Sequence, residues 1–134
     1  MRLGQARGSA TRQDRSSQLH RDREAAPKLR TMFPVVEQLR IELSFDGGGA
    51  ATPVPQSHVL HPPARAYFSF PCPYADCDGR FDLAAAVHEA VEDPSHRIQG
   101  MLECSGSRVS DFRSKPQCQL RLNFTLTAVC SSPH

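Results

Sequence analysis

The chain has 134 residues, which is room for one domain of ordinary size. Hydrophobic residues make up 39% of it, below the roughly 45–50% of an average soluble domain, a figure that also counts glycine, and tryptophan is absent. There is no run of about 18 apolar residues and no repeat at a fixed period. These features exclude a multidomain enzyme, a membrane-spanning helix and a repeat array for this chain.

The formal net charge of +2 conceals two segments of opposite charge. Residues 1–31 hold eight Lys or Arg and three acids, whereas residues 32–134 hold eight bases and eleven acids. The first segment has no Val, Ile, Phe, Tyr or Cys, so it offers little apolar surface to offset the entropy lost on folding. We therefore predict a disordered basic arm over 1–31 and a single α+β metal-binding domain over 32–134.

Three interpretations of the basic arm stay open. Its arginines suit contact with nucleic acid or an anionic surface, and its composition shares some features with transit peptides. The third interpretation is an over-extended start, because the sequence changes character at Met32, which resembles a natural N-terminus. No apolar stretch typical of a secretory signal follows the early arginines, so we expect a cytoplasmic protein.

The second segment begins with a strand pattern of period two. Apolar and polar residues alternate over 35–45, with one interruption at Glu37, which predicts a strand with one buried face that includes Val35. Glycines end this strand, and the proline-rich stretch over 46–63 is predicted to be a long flexible connection. A second strand is predicted over 64–70.

One helix and two further strands complete the pattern. Asp82 is the predicted N-cap of the helix, and Pro94 ends it. Its apolar stripe consists of Leu83, Val87, Ala90 and Val91. Residues 98–104 and 120–128 again alternate with period two. The order β-β-α-β-β predicts an α+β fold: a small antiparallel sheet of about four strands, packed on one side by the helix.

Five cysteines in a chain without a secretory signal need an explanation. Four of them follow the spacing Cys72-x4-Cys77-x26-Cys104-x13-Cys118, and Cys130 is left over. Cys72 and Cys104 each end a predicted strand and Cys118 begins one, so three of the four lie where chain ends converge. Two of the cysteines have Gly at the second following position, and a glycine with positive φ lets the backbone fold tightly under a ligating sulfur.

These residues resemble the zinc-ribbon and zinc-knuckle class, in which two cysteine pairs on separate hairpins hold one zinc. The resemblance lies in Cys72-Pro73 with Cys77-Asp78-Gly79, and in a second half-site formed by Cys104 and Cys118. It departs from the usual two-residue spacing, because four and thirteen residues separate the members of the two pairs. The resemblance implies a small domain stabilised by a four-cysteine metal site.

The chemistry of the four cysteines leaves alternatives open. Four thiolates suit Zn²⁺ and leave no open coordination position. Iron, as a single ion or an iron–sulfur cluster, uses the same ligands. A redox disulfide between Cys72 and Cys77, or buried free thiols, are the interpretations without a metal. We expect Cys130 to be a small core residue or a loose C-terminal thiol.

Other candidates for chemistry are weaker. His88 on the helix suggests a base for a cysteine nucleophile, and His88 or His96 suggests a substitute metal ligand, but no third orienting group is indicated. Asp76, Asp78 and Asp82 are typical of a solvated turn followed by a helix cap. Since the balance of charge over 32–134 is negative, only residues 1–31 suit contact with nucleic acid.

The sequence thus predicts a small intracellular domain that is stabilised by zinc and acts as a binding or assembly module for a protein partner, rather than as an enzyme. One alternative is a nucleic-acid-associated zinc protein that uses the basic arm. The other is a thiol redox or metal-carrier protein that uses Cys72 and Cys77. The sequence identifies neither the partner nor the oligomeric state.

Overall fold

The computed structural model describes residues 12–47, 52–74, 77–106 and 118–131. In chain order the elements are α1 (Arg12–Ala25), α2 (Leu29–Met32), β1 (Val36–Asp46), β2 (Gln56–Leu60), β3 (Ser69–Pro71), β4 (Arg80–Asp82), α3 (Ala84–Glu92), β5 (Ile98–Glu103) and β6 (Arg121–Cys130). Four strands form an antiparallel sheet in the order β2-β1-β6-β5, and β3 pairs with β4 in a second, smaller sheet. The predicted fold class is confirmed.

The centre of the larger sheet is the pair β1 and β6, both of which the alternating sequence predicts. Eight of the buried core residues are inward side chains of this pair: Leu39, Ile41, Leu43, Phe45, Leu122, Phe124, Leu126 and Ala128. The prediction for Val35 is wrong, because that side chain is 51% exposed whereas Val36 is 2% exposed. A register shift between Val36 and Gln38 moves the alternation by one residue at the position of Glu37.

The predicted flexible connection over 46–63 is wrong for residues 56–60. This segment is β2, which pairs antiparallel with β1 from Leu60 opposite Leu39 to Gln56 opposite Leu43. Its alternation is weak because β2 lies at the edge of the sheet, where its side chains are half-buried at best. The predicted second strand over 64–70 is also shorter than expected, and its strand residues lie in the smaller sheet.

Helix α3 packs the predicted stripe against β5 and β6. Leu83, Val87 and Ala90 are buried, and Val91 is half-buried. Asp82 lies one residue before the N-cap position, and its Oδ1 accepts a hydrogen bond from the Ala84 N–H at 2.9 Å. The Asp82 carboxylate therefore satisfies one of the free N–H groups of the first turn. The helix ends at Glu92, two residues before Pro94.

Part of the segment expected to be disordered is folded. Residues 1–11 lie outside the described residues, but residues 12–25 form α1 and residues 29–32 form α2. Leu29 is completely buried in the core. The Leu29 N–H donates to the Ala64 carbonyl at 2.7 Å, and the Pro27 carbonyl accepts from the Ala66 N–H at the same distance. A single buried leucine and a few backbone hydrogen bonds leave no signal in the composition of the segment.

Replacing Leu29 by Ala is expected to lower the free energy of unfolding by about 2–5 kcal/mol, because a fully buried leucine leaves a cavity that the surrounding core fills only in part. Urea unfolding measures this effect. Met32→Ala is the matched control, since the Met32 side chain in the same helix is 40% exposed. Equal, small effects of the two substitutions would show that α2 does not pack into the core.

Candidate metal centre

Four of the five cysteines lie together at one end of the larger sheet. Cys72 directly follows β3, Cys77 lies between β3 and β4, Cys104 directly follows β5, and Cys118 lies three residues before β6. Their Sγ atoms all lie within 4.8 Å of one another, and all four residues are buried. The predicted convergence of these cysteines is confirmed, and their ligation of a metal stays a prediction.

The distances between the sulfurs suit a tetrahedral ion. The Sγ atoms of Cys72 and Cys118 are 3.9 Å apart, and those of Cys77 and Cys104 are 3.5 Å apart. Four sulfurs at tetrahedral corners, each about 2.3 Å from a zinc ion, are about 3.8 Å from one another. The four cysteines are free thiols, so the cluster presents four separate sulfur ligands.

Two Cys-x-Gly turns hold two of the sulfurs in the same way. The Gly79 N–H donates to Cys77 Sγ at 3.3 Å, and the Gly106 N–H donates to Cys104 Sγ at 3.4 Å. These bonds place a positive partial charge beside each sulfur, an arrangement that suits a metal-bound thiolate. The repeated Cys-x-Gly pattern in the sequence therefore marks two equivalent turns.

Each glycine also connects its turn to a second cysteine. The carbonyl of Gly79 accepts a hydrogen bond from the Cys72 N–H, and the carbonyl of Gly106 accepts one from the Cys118 N–H, both at 2.9 Å. The site thus consists of two matching half-sites, the first formed by residues 72–79 and the second by Cys104, Gly106 and Cys118. The second cysteine precedes the turn in the first half-site and follows it in the second half-site.

The two glycines are required by space rather than by backbone conformation. A Cβ atom on Gly79 would overlap Cys104 Sγ and would lie 2.9 Å from the backbone nitrogen of Gly106. A Cβ atom on Gly106 would overlap the backbone of Gly79. The expected positive φ is wrong for both, because Gly47 alone has a positive φ among the described residues. The sequence suggested the glycines but gave no signal that the half-sites contact each other through them.

Burial works against the ionisation of two of these thiols. It raises the pKa of Cys72, and it raises the pKa of Cys104 to about 12. Burial also acts on Cys118, but hydrogen bonds from the Leu120 N–H and from neighbouring thiols outweigh it and lower the pKa of Cys118. Because a metal binds the thiolate form, a divalent cation at the centre of the cluster would supply the favourable charge interaction that burial removes.

Zinc binding to the reduced protein is expected to release protons, because thiols that burial keeps neutral, such as those of Cys72 and Cys104, become thiolate ligands. Lowering the pH should therefore weaken zinc binding. An indicator dye in weak buffer measures the release during a zinc titration. The Cys130→Ser protein should release the same number of protons as the wild-type protein, whereas zinc binding without proton release would contradict a site that includes the buried thiols of Cys72 and Cys104.

The remaining candidates from the sequence lie outside this cluster. Cys130 is half-buried at the end of β6, where burial raises its pKa. His88 is exposed on α3, and its ring contacts Phe33 edge-on with 4.9 Å between the ring centroids. His96 pairs with Asp93 at 2.9 Å in the turn after α3. The cluster of potential ligands among the described residues contains neither histidine. Asp76 lies outside the described residues.

Comparison of the chain with family models, curated proteins and solved structures finds no match. The part of the chain that the structure describes has no helix that is both long and apolar enough to cross a membrane. The geometry of the cysteine cluster therefore carries the functional argument by itself.

Proposed function

We propose that the chain is a small zinc-stabilised domain that serves as a binding or assembly module. The observation that supports this most strongly is the set of four buried sulfurs, within 4.8 Å of one another, that two matching half-sites present. Four protein ligands occupy every position around a tetrahedral ion and leave none for water or substrate. The arrangement therefore favours a structural role for the metal over a catalytic one.

A metal in this position would join the two sheets of the domain. The first half-site adjoins β3 and β4 of the smaller sheet, and the second adjoins β5 and β6 of the larger sheet. Structural zinc contributes about 10–16 kcal/mol in small zinc-finger peptides, as much as the whole stability of an ordinary domain, about 5–15 kcal/mol. Such a contribution suits a domain whose core is built from only about 100 residues.

The alternative of a redox dithiol is less well supported by the contacts. The sulfur contacts at 3.9 and 3.5 Å join Cys72 to Cys118 and Cys77 to Cys104, and all four sulfurs lie within 4.8 Å of one another, so Cys72 and Cys77 do not form an isolated pair. Reactive cysteines are partly exposed and have a lowered pKa, whereas Cys72 is buried and its pKa is raised. Both features favour a closed metal site.

Cobalt substitution tests the proposal and its coordination geometry together. Titration of the reduced protein with Co²⁺ should give the strong visible absorption of tetrahedral cobalt–thiolate coordination, with an end point at one ion per chain. Zinc should then displace the cobalt and remove the colour. A weak spectrum typical of octahedral oxygen ligands would contradict the proposal. A protein that purifies with iron would show that the metal of the site is iron rather than zinc.

A second candidate, association with nucleic acid, is favoured by the position of α1. The Arg23 guanidinium lies 5.9 Å from the Tyr67 ring centroid, and Asp22 pairs with Arg80 at 3.8 Å, so this arginine-containing helix rests against the folded part. Binding to single-stranded RNA should then weaken steeply with salt, and replacing the exposed Arg21 of α1 by Glu (Arg21→Glu) should weaken it without loss of zinc. Equal binding by the variant, or none by the wild-type protein, would exclude this candidate.

A further inference from the structure

The two edge strands of the larger sheet differ in how well they are protected from pairing with another chain. β2, at one edge, has five residues, with Pro55 directly before it and Pro62 two residues after it. β5, at the other edge, has six residues, and no proline lies within three residues of either of its ends, although neither strand itself contains proline or lysine. Proteins use short strands, prolines and lysines to keep edge strands from pairing with other chains. Among the described residues, β5 is therefore the less protected edge and the one better suited to pair with a further strand.

Apolar side chains on β5 are incompletely buried. Met101 on the outer face is 52% exposed. Ile98 and Leu102 on the inner face pack against the core but are only partly buried. Among the described residues, β6 is the one strand that pairs with β5. A strand added beside β5 would cover apolar surface that this part of the fold leaves accessible.

The hydrogen-bonding pattern identifies the backbone groups at the free edge. The Cys104 N–H donates to the Leu120 carbonyl at 2.9 Å, which continues the ladder between β5 and β6. Because antiparallel ladders alternate, Leu102 and Gly100 also direct their N–H and C=O groups toward β6. The groups of Gln99, Met101 and Glu103 therefore point away from β6.

We infer that β5 pairs antiparallel with β5 of a second copy of this chain, around a two-fold axis at Met101. The resulting dimer would have one continuous eight-stranded sheet. This inference rests on the proposed function, since it names the partner of the proposed assembly module. Met101 then lies opposite the partner's Met101, and Gln99 lies opposite the partner's Glu103. All of these residues direct their backbone groups toward the other copy.

Side-chain chemistry selects this register. The Gln99 amide is a donor and the Glu103 carboxylate is an acceptor, so the pair forms twice around the axis, while the two exposed methionines contact each other at the centre. In this register Gly100 lies opposite the partner's Leu102, and the Phe124 ring covers Gly100 within its own chain. An axis at Gly100 would instead place the Gln99 amide against a methionine side chain and would lose the amide–carboxylate pairs.

The oligomeric state of the zinc-loaded, full-length protein tests the inference. Light scattering during size-exclusion chromatography should show a dimer whose proportion rises with concentration. Met101→Glu should raise the dissociation constant of the dimer at least about tenfold, because it places two carboxylates opposite each other beside Glu103. Val59→Glu is the matched control on the other edge strand, since Val59 is 41% exposed and lies opposite Arg40. It should leave the dimer unchanged.

Substitutions at Gln99 test the register. Gln99→Lys should lower the dissociation constant of the dimer about two- to fivefold for each amide–carboxylate pair that becomes an ion pair. Gln99→Glu should raise the dissociation constant, because each pair then consists of two carboxylates. A protein that binds one zinc per chain but stays monomeric, or that binds only extended peptides, would overturn the inference and leave the proposed function intact. A dimer that survives Met101→Glu, or that is lost in Val59→Glu, would also overturn it. Absence of zinc from the wild-type protein would instead contradict the proposed function.

Discussion

Replacing any one of the four clustered cysteines by Ser is expected to abolish tight zinc binding and to unfold the domain at temperatures where the wild-type protein is folded. The variants are Cys72→Ser, Cys77→Ser, Cys104→Ser and Cys118→Ser. Each removes one of the four buried sulfurs that would hold the proposed ion, and three sulfurs would leave one position of a tetrahedral ion without a protein ligand. Because the free energy of binding a structural metal is largely free energy of folding, the proposal predicts a fall of the thermal midpoint by tens of degrees.

Cys130→Ser is the control for these four variants. Cys130 lies at the end of β6 outside the cluster, so its replacement should keep one zinc per chain and change the thermal midpoint little. Zinc analysis by mass spectrometry and thermal unfolding followed by circular dichroism measure both properties. If Cys130→Ser lost zinc while one of the four cluster variants kept it, the proposed ligand set would be wrong.

Replacing Gly79 or Gly106 by Ala is expected to destabilise the zinc-loaded protein by about 3 kcal/mol or more, because the added methyl group meets backbone atoms that cannot move aside. Neither glycine has a positive φ, so conformational preference alone predicts a small effect. Urea unfolding and a zinc competition assay measure stability and affinity. Affinity should fall as well, since the clash lies between the two half-sites.

Ser105→Ala is the control for the glycine variants. Ser105 lies between Cys104 and Gly106 and is exposed, so this substitution alters the same turn without adding an atom at the contact of the two glycines. Its effect should stay below about 0.5 kcal/mol. If Gly79→Ala and Gly106→Ala behaved like Ser105→Ala, the close contact of the two glycines would be refuted.

Periodic burial explains what the sequence predicted of the fold. The inward faces of β1 and β6, and the stripe of α3, repeat with the period of their secondary structure, so the pattern identifies them. The edge strand β2 has no comparable signal, because its side chains are half-buried or exposed. Leu29 is a single buried residue in a polar segment, and pattern analysis requires several such residues.

The cysteine cluster was predictable for a different reason. In an antiparallel pair the C-terminal end of β5 lies beside the start of β6, which brings Cys104 close to Cys118. The placement of Cys72 and Cys77 beside them depends on how the smaller sheet packs, and the cysteines themselves were the sequence signal for that packing. The contact between Gly79 and Gly106 is a tertiary contact, so neither spacing nor propensity reveals it.

The metal content of the purified protein tests the central claim most directly. Native mass spectrometry should show the mass of the chain with one zinc ion, and removal of that ion by a strong chelator under reducing conditions should unfold the domain. Addition of zinc should restore the fold. A chain that carries no metal, keeps its cysteines as free thiols and unfolds at the same temperature with and without the chelator would contradict the account.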